Sequence, residues 1–333
     1  MGNELKIGML GAARIGYFGL IKPAGEISEL SIAAVAARDP NRAQRYAAKH
    51  GIPLAHESYE ALLADPSIDA IYNPLPNALH CQWSIRALEA GKHVLCEKPI
   101  ASNASEAREM AAAAHRNGRV LMEAFHYRFH PLAARMCELV PLLGKIEHID
   151  VGMCIPLPMT KDIRFNYALG GGATMDVGAY TCNILRLLAA ASGKDALQQA
   201  PSVVSAKAKL LGENVDRAMR AELRWEDGTT GLIENSLLSS KLFRLSAKVR
   251  GSAGSMSILN PVAPQIYNHI SLNIDGKKSR ERVVGKASYT YQLEEFARRI
   301  RSGENNSDLT DAIANMSLID SIYSAAGLAL RGN

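Results

Sequence analysis

The chain has 333 residues, more than one hydrophobic core usually organises, since single cores seldom grow past about 250–300 residues, so two domains are expected. With 47% hydrophobic and 21% charged residues, and no stretch near the roughly 20 apolar residues that cross a bilayer, the composition is that of a globular protein without a membrane partner. The net charge of +5 is spread too thinly for a nucleic-acid partner, and five scattered cysteines without a C-x-x-C pair exclude a disulfide framework or zinc site and predict reduced thiols in a cytoplasmic setting.

Met1 to Leu10 holds one lysine and no long apolar run, so no signal peptide is expected. Leu5 to Leu10 reads as a buried strand ending in Gly11-Ala12-Ala13-Arg14-Ile15-Gly16, and Ile32 to Ala37 as a second strand, followed by a helix over Asn41 to His50. Ala70 to Tyr72 and His93 to Cys96 are further short strands, with a helix from Cys81 to Ala90 between them. A helix over Ser105 to Asn117 and a strand over Arg119 to Glu123 complete the pattern. Buried strands alternating with helices of this length predict a parallel, doubly wound α/β sheet, a Rossmann domain.

Gly11-x-Ala13-x-x-Gly16 falls where the first strand meets a helix, the place where a dinucleotide fold needs a tight turn and a backbone close to a pyrophosphate. Gly11 suits the turn and Gly16 suits close packing of helix on strand, while Ala13 replaces the usual middle glycine. Gly11, Ala13, Arg14, Ile15 and Gly16 are therefore candidate cofactor-binding residues. The end of the second strand selects between NAD and NADP. An acid there accepts from the ribose 2′-hydroxyl; here the stretch is Ala36-Ala37-Arg38-Asp39. Arg38 offers a forked guanidinium for a 2′-phosphate, which favours NADP. Asp39 is either the NAD-type acid displaced by a position or two, or the cap of the helix that opens with Pro40.

Tyr72-Asn73-Pro74-Leu75-Pro76-Asn77-Ala78-Leu79-His80, followed by Ala90-Gly91-Lys92-His93-Val94-Leu95-Cys96-Glu97-Lys98-Pro99, resembles the glucose–fructose oxidoreductase / inositol dehydrogenase / MocA (Gfo/Idh/MocA) family. Gly170-Gly171-Gly172-Ala173-Thr174-Met175-Asp176-Val177-Gly178-Ala179-Tyr180 is similar to that family's second signature. Glu123-Ala124-Phe125-His126-Tyr127-Arg128-Phe129-His130-Pro131 points to the branch of dimeric dihydrodiol dehydrogenase and NADP-dependent xylose dehydrogenase. The resemblance implies an NADP-dependent hydride transfer to or from a sugar-like, polyhydroxylated molecule. It implies a cis bond before Pro99 that turns Lys98 toward the nicotinamide, and a loop of Pro74, Leu75, Asn77 and His80 beneath that ring, with Glu97 beside it.

Lys98 and Tyr180 are the candidate catalytic pair. A phenol delivers a proton to a carbonyl oxygen as hydride reaches the carbon, and a nearby ammonium favours the phenolate that remains. Asp176 lies one turn before Tyr180 on an expected helix, with Asn183 on roughly the same face, so Asp176 is assigned to orienting a substrate hydroxyl or the lysine. Arg128, Arg164, Phe165 and Tyr167 are candidate pocket residues beside Asn183, since arginine reads oxygen-rich ligands and aromatic faces stack on sugar rings. His126-x-x-x-His130 has zinc-like spacing, but Pro131 follows at once and no third ligand is in sight, so no metal is expected.

From Gly144 onward the period becomes two. Ala221, Leu223 and Trp225 alternate with Glu222, Arg224 and Glu226; Leu245, Ala247 and Val249 alternate with Ser246, Lys248 and Arg250; Ile270, Leu272 and Ile274 alternate with Ser271, Asn273 and Asp275. This predicts a mainly antiparallel open sheet in an α+β second domain, one face covered by the helix of Tyr180. The other face, with Lys207, Lys209, Arg220, Arg224 and Arg244, is where the resemblance implies that two subunits meet, as a homodimer or a dimer of dimers. Tyr289 to Arg301 and Asp308 to Leu330 read as closing helices, and the domains are expected at 1–124 and 125–333. Two rival functions remain at this stage, a cofactor-sensing regulator without catalysis and an NAD-dependent glycosidase. The presence of both Lys98 and Tyr180 speaks against the first, and Arg38 against the second.

Overall fold

The computed structural model describes residues 4–159, 161–238, 243–303 and 309–332. Asp308, the expected start of the last helix, lies outside these residues. Six strands, β1 (Leu5–Leu10), β2 (Leu30–Ala36), β3 (Leu54–His56), β4 (Ala70–Asn73), β5 (His93–Cys96) and β6 (Leu121–Glu123), form one parallel sheet in the order β3-β2-β1-β4-β5-β6. The order reverses between β1 and β4, and at such a switch point the crevice at the carboxyl ends of the strands receives a ligand. The apolar runs become the core of this sheet: Ile7, Met9 and Leu10 of β1 and Val94, Leu95 and Cys96 of β5 are completely buried.

The second sheet has eight strands, β7 (Ile146–Cys154), β8 (Ser202–Leu210), β9 (Asp216–Arg224), β10 (Thr230–Ser236), β11 (Arg244–Gly251), β12 (Gly254–Leu259), β13 (His269–Ile274) and β14 (Lys277–Glu281). Their order is β14-β13-β12-β11-β7-β10-β9-β8, antiparallel throughout except for the β7–β10 pair. Period-two alternation does what it predicts: Met219, Ala221 and Leu223 of β9 are buried while Arg220, Glu222 and Arg224 face solvent. The helix Ala179–Ala190 packs on β7, β10 and β11, burying Tyr180, Cys182, Ile184 and Leu185.

The chain divides into two compact units. One is Met1–Ala101, Ser105–His126 and Tyr289–Ala312; the other is Ser102–Ala104, Tyr127–Ser288 and Ile313–Asn333. The change from one to the other at His126–Tyr127 falls beside the expected 124/125 boundary. The units are not two continuous segments, however, because the stretch that begins at Tyr289 returns to the first. Burial of Tyr289, Leu293, Phe296 and Ala297 and the bond from Thr290 Oγ1 to Glu26 at 2.9 Å hold it there.

Candidate active site

In the first unit, Gly11 leaves β1 with φ +83, a left-handed conformation open to glycine, and its amide donates to Ala36 O at 2.7 Å. Gly16 answers a different need: a Cβ there would stand 2.5 Å from Met9 Sδ and 2.9 Å from the Tyr46 hydroxyl, so only hydrogen lets the helix approach its strand. Arg14 is exposed, and Ala13 O accepts from Tyr46 at 3.0 Å. At the end of β2, Arg38 is exposed, while Asp39 caps the helix Pro40–His50 by accepting from Asn41 N at 3.0 Å. Of the two readings of Asp39, the geometry favours the cap. Arg42 gathers at the same place, donating to Ala12 O at 2.9 Å. The charges of Arg38 and Arg42 both reach the Tyr59 hydroxyl, where they oppose the upward pull of burial on its pKa. A glycine-made turn, a helix start close to its strand and two cations where NAD enzymes keep an acid fit a phosphorylated dinucleotide.

The loop that carries Lys98 follows β5. The Lys98–Pro99 bond is cis, as expected. Glu123 Oε1 accepts from Ile100 N at 2.8 Å, and His80 Nδ1 lies 2.8 Å from Pro99 O. His80, expected beneath the nicotinamide, instead lies inside the fold, with Nε2 2.7 Å from Leu75 O. It ties together the Pro74–Asn77 loop and the Lys98 loop. Burial brings its pKa down to about 4, with the two carbonyls opposing. Leu75 is buried below the loop and Asn77 partly exposed on it. Glu97 is turned inward as well: its carboxylate accepts from the Tyr72 hydroxyl at 2.6 Å and from Lys98 N at 3.3 Å. Tyr289, which the sequence reading missed, has its phenol pKa raised by burial and by the negative Glu97, and stacks on His126 with ring centres 3.9 Å apart. Burial, and then the positive Lys98, lower His126 to about 3.

In the second unit Tyr180 is buried, its ring 6.0 Å from that of Tyr127. The expected single helix from Asp176 through Asn183 is not regular. Thr174–Gly178 is a π-turn, and the α-helix begins only at Ala179. The wider winding changes the angle between Asp176 and Tyr180 but leaves them about one turn apart on a continuous helix. Asp176 Oδ2 accepts from Arg164 Nε at 2.9 Å, and Asp162 holds the same guanidinium at 3.1 Å, so the two acids raise the Arg164 pKa. Phe165 beside it is half-buried and Arg128 likewise. Asn183, a candidate pocket residue, is fully buried, and its Oδ1 accepts from the Tyr127 hydroxyl at 2.5 Å. Tyr167 is also committed, donating to Leu330 O at 2.7 Å. His130 caps the helix Pro131–Leu139 through Nδ1, at 3.1 Å from Leu132 N. Among the described residues, no group of three or more His, Cys, Asp or Glu is placed to hold a metal, and no helix is long and apolar enough to cross a membrane.

A parallel sheet with a glycine turn at its switch point, joined to an antiparallel sheet carrying a buried tyrosine helix, defines a two-domain, dinucleotide-dependent oxidoreductase. Residues 5–125 match the model of an oxidoreductase family with an NAD-binding Rossmann fold, and residues 141–257 match the GFO/IDH/MocA C-terminal domain. The chain belongs to the Gfo/Idh/MocA family. It is 37% identical over 328 residues to a D-xylose 1-dehydrogenase (NADP(+)) of Haloferax volcanii, covering 97% of each chain. It is 34% identical over 239 residues to the trans-1,2-dihydrobenzene-1,2-diol dehydrogenase of Sus scrofa, covering 70% of this chain and 68% of that one. Among solved structures, a 3-ketoreductase from Actinomadura kijaniata in complex with NADP and TDP-benzene superposes with a TM-score of 0.88 at 26% identity, covering 97% of this chain and 98% of that one.

Proposed function

We propose that the protein is an NADP-dependent dehydrogenase or reductase of a sugar or similar polyhydroxylated molecule. The observation that carries the cofactor is the end of β2, where Arg38 stands exposed and Asp39 is turned away into a helix cap. The relatives that act on D-xylose with NADP(+) and on a dihydrodiol support the same substrate chemistry, a secondary hydroxyl or its ketone, or an aldose carbon.

Gly11, Ala13, Arg14, Ile15 and Gly16 hold the pyrophosphate, Arg38 the 2′-phosphate, and the Pro74–Asn77 loop with the Lys98 loop the nicotinamide. The bound cofactor supplies the hydride acceptor in oxidation and the donor in reduction. Tyr180 gives its phenolic proton to the substrate oxygen in reduction and takes it back in oxidation. Lys98 favours the phenolate and contacts the cofactor. Burial, and then the positive Lys98, lower the His126 pKa, so near neutrality it has no proton to give in reduction, which favours Tyr180 as the donor. Asp176, paired with Arg164, orients a substrate hydroxyl, with Phe165 and Arg128 beside it and Asn183 supporting the helix from within. The protein works in the cytoplasm, where its thiols stay reduced. It assembles through the open face of the second sheet, where His148, Asp150, Lys248, Arg250, Lys278 and Arg280 stand along an open groove.

The test is a panel of aldoses, ketoses and trans-dihydrodiols assayed with NADP and with NAD by nicotinamide absorbance. Turnover of at least one member with clear preference for NADP is expected. Activity on none of them, or equal use of both cofactors, would overturn the reading.

A further inference from the structure

Asp216, the first residue of β9, and Arg331, beyond the helix Thr310–Ala325, form an ion pair at 3.2 Å in which both side chains are completely shielded from solvent. One carboxylate oxygen, Oδ2, accepts from the amide and the hydroxyl of Thr174, each at 2.7 Å. The other accepts from the Tyr323 hydroxyl at 2.9 Å as well as from Arg331. Arg331 Nε donates to Gly171 O at 2.7 Å, and its guanidinium carbon lies 4.2 Å from the Tyr323 ring centre and 4.9 Å from that of Tyr167. The Arg331 carbonyl is held in turn by Asn103 Nδ2 at 2.8 Å. Gly172 completes the arrangement: it adopts φ +138, and a Cβ there would overlap the Asp216 carboxylate.

Desolvation of two buried charges roughly cancels their attraction, so a buried ion pair is weakly explained by stability alone. What this pair does is hold one segment. Gly171 and Thr174 are both fastened to it, and Thr174 opens the π-turn that leads to Asp176 and then to Tyr180. The first amides of any helix lack an intrahelical partner, and the Asp216 carboxylate supplies one for Thr174 N with a charge that favours a helix N-terminus. At the far end of the turn, Asn315 Nδ2 donates to Ala179 O at 3.2 Å.

We propose that Asp216 and Arg331 are positioning residues that set where Asp176 and Tyr180 stand for reaction. This rests on Tyr180 being the proton donor. The test is a single-turnover stopped-flow measurement on the whole protein with NADPH and the carbonyl form of a substrate from the panel, in Asp216→Asn, Thr174→Val and Tyr180→Phe. The amplitude reports the fraction of competent molecules and the rate constant reports the geometry of the competent ones. A misplacement of about 1 Å can cost about a hundredfold, so Asp216→Asn should lower the rate constant at least about tenfold with its amplitude kept. Thr174→Val, which removes only the hydroxyl bond, should lower it less and carries the test if Asp216→Asn does not fold. Reduced amplitude with an unchanged rate constant in both variants would overturn the proposal, leaving the pair a purely structural role. A normal rate constant in Tyr180→Phe would instead sink the proton-donor reading on which it stands.

Discussion

Arg38 shows how far one residue carries. Arg38 and Arg42 both act on Tyr59 near the end of β2, and Asp39 is engaged by Asn41 N at 3.0 Å, so in the proposed reading discrimination against NAD rests on a guanidinium meeting a 2′-phosphate. Arg38→Ala should raise KM for NADP by roughly tenfold or more, the scale of a lost charge-assisted contact, while KM for NAD moves little; equal effects on both would remove Arg38 from the phosphate site. The buried histidines make a second prediction. His80 and His126 have pKa values near 4 and 3 in the fold, below the ordinary 6.5, so the unfolded chain binds more protons in that window. Their contribution to stability is whole above pH 6.5 and is lost as pH falls toward 4 and 3, by about 3 kcal/mol for His80 and about 5 kcal/mol for His126. Tm should be flat above pH 7 and fall steeply below 6.5. In His126→Phe that fall should be shallower, and an unchanged slope would contradict the assignment. Arg38, Lys98 and Tyr180 stand out in the sequence because each sits in a motif, and their roles are the proposed reading, which the variants test. Arg42, Tyr289, Asp216 and Arg331 do not stand out, because their importance comes from partners far away in the chain, such as Asp216 with Arg331.

At the scale of elements, the strands were legible wherever apolar periodicity was strong, and the errors fall where it was weak. The short β3 and the helix Tyr59–Ala64 were missed, β3 having only three residues, none of them buried. The run from Thr174 to Asn183 is one continuous helix, as read, with a π-turn over Thr174–Gly178 that nothing in its side chains announces. The A-G-K-H-V-L-C-E-K-P signature holds a second lysine, Lys92, beside Lys98. The Lys92 ammonium is buried, donating to Asp65 O and Ile68 O at 2.7 Å each, and it fastens the turn before β4 to the start of β5. Lys92→Met should therefore cost about 2–4 kcal/mol in denaturant unfolding and leave kcat unchanged. A loss of kcat in the folded variant would move Lys92 into the reaction.

The chain divides into two compact units, and in the proposed reading one contributes the cofactor-binding residues and Lys98, the other Tyr180 on a helix over an open sheet. The exposed face of that sheet is rich in charge, so a dimer formed there should be polar and weaken with salt. Light scattering at micromolar concentration should give twice the chain mass in low salt, and a monomer in both low and high salt would contradict it. The division of labour has a sharper consequence. If Lys98 from one unit tunes the phenol of Tyr180 from the other, the two act as one group in catalysis and their losses do not add. The decisive measurement is the rate constant of hydride transfer in Tyr180→Phe, Lys98→Ala and the double variant, with NADP binding followed in parallel. The account predicts a loss of about 10²–10⁴-fold for Tyr180→Phe with NADP binding nearly intact, at least as large a loss for Lys98→Ala, and a double variant no slower than the worse single one. Near-normal hydride transfer in Tyr180→Phe, or losses that multiply in the double variant, would contradict it.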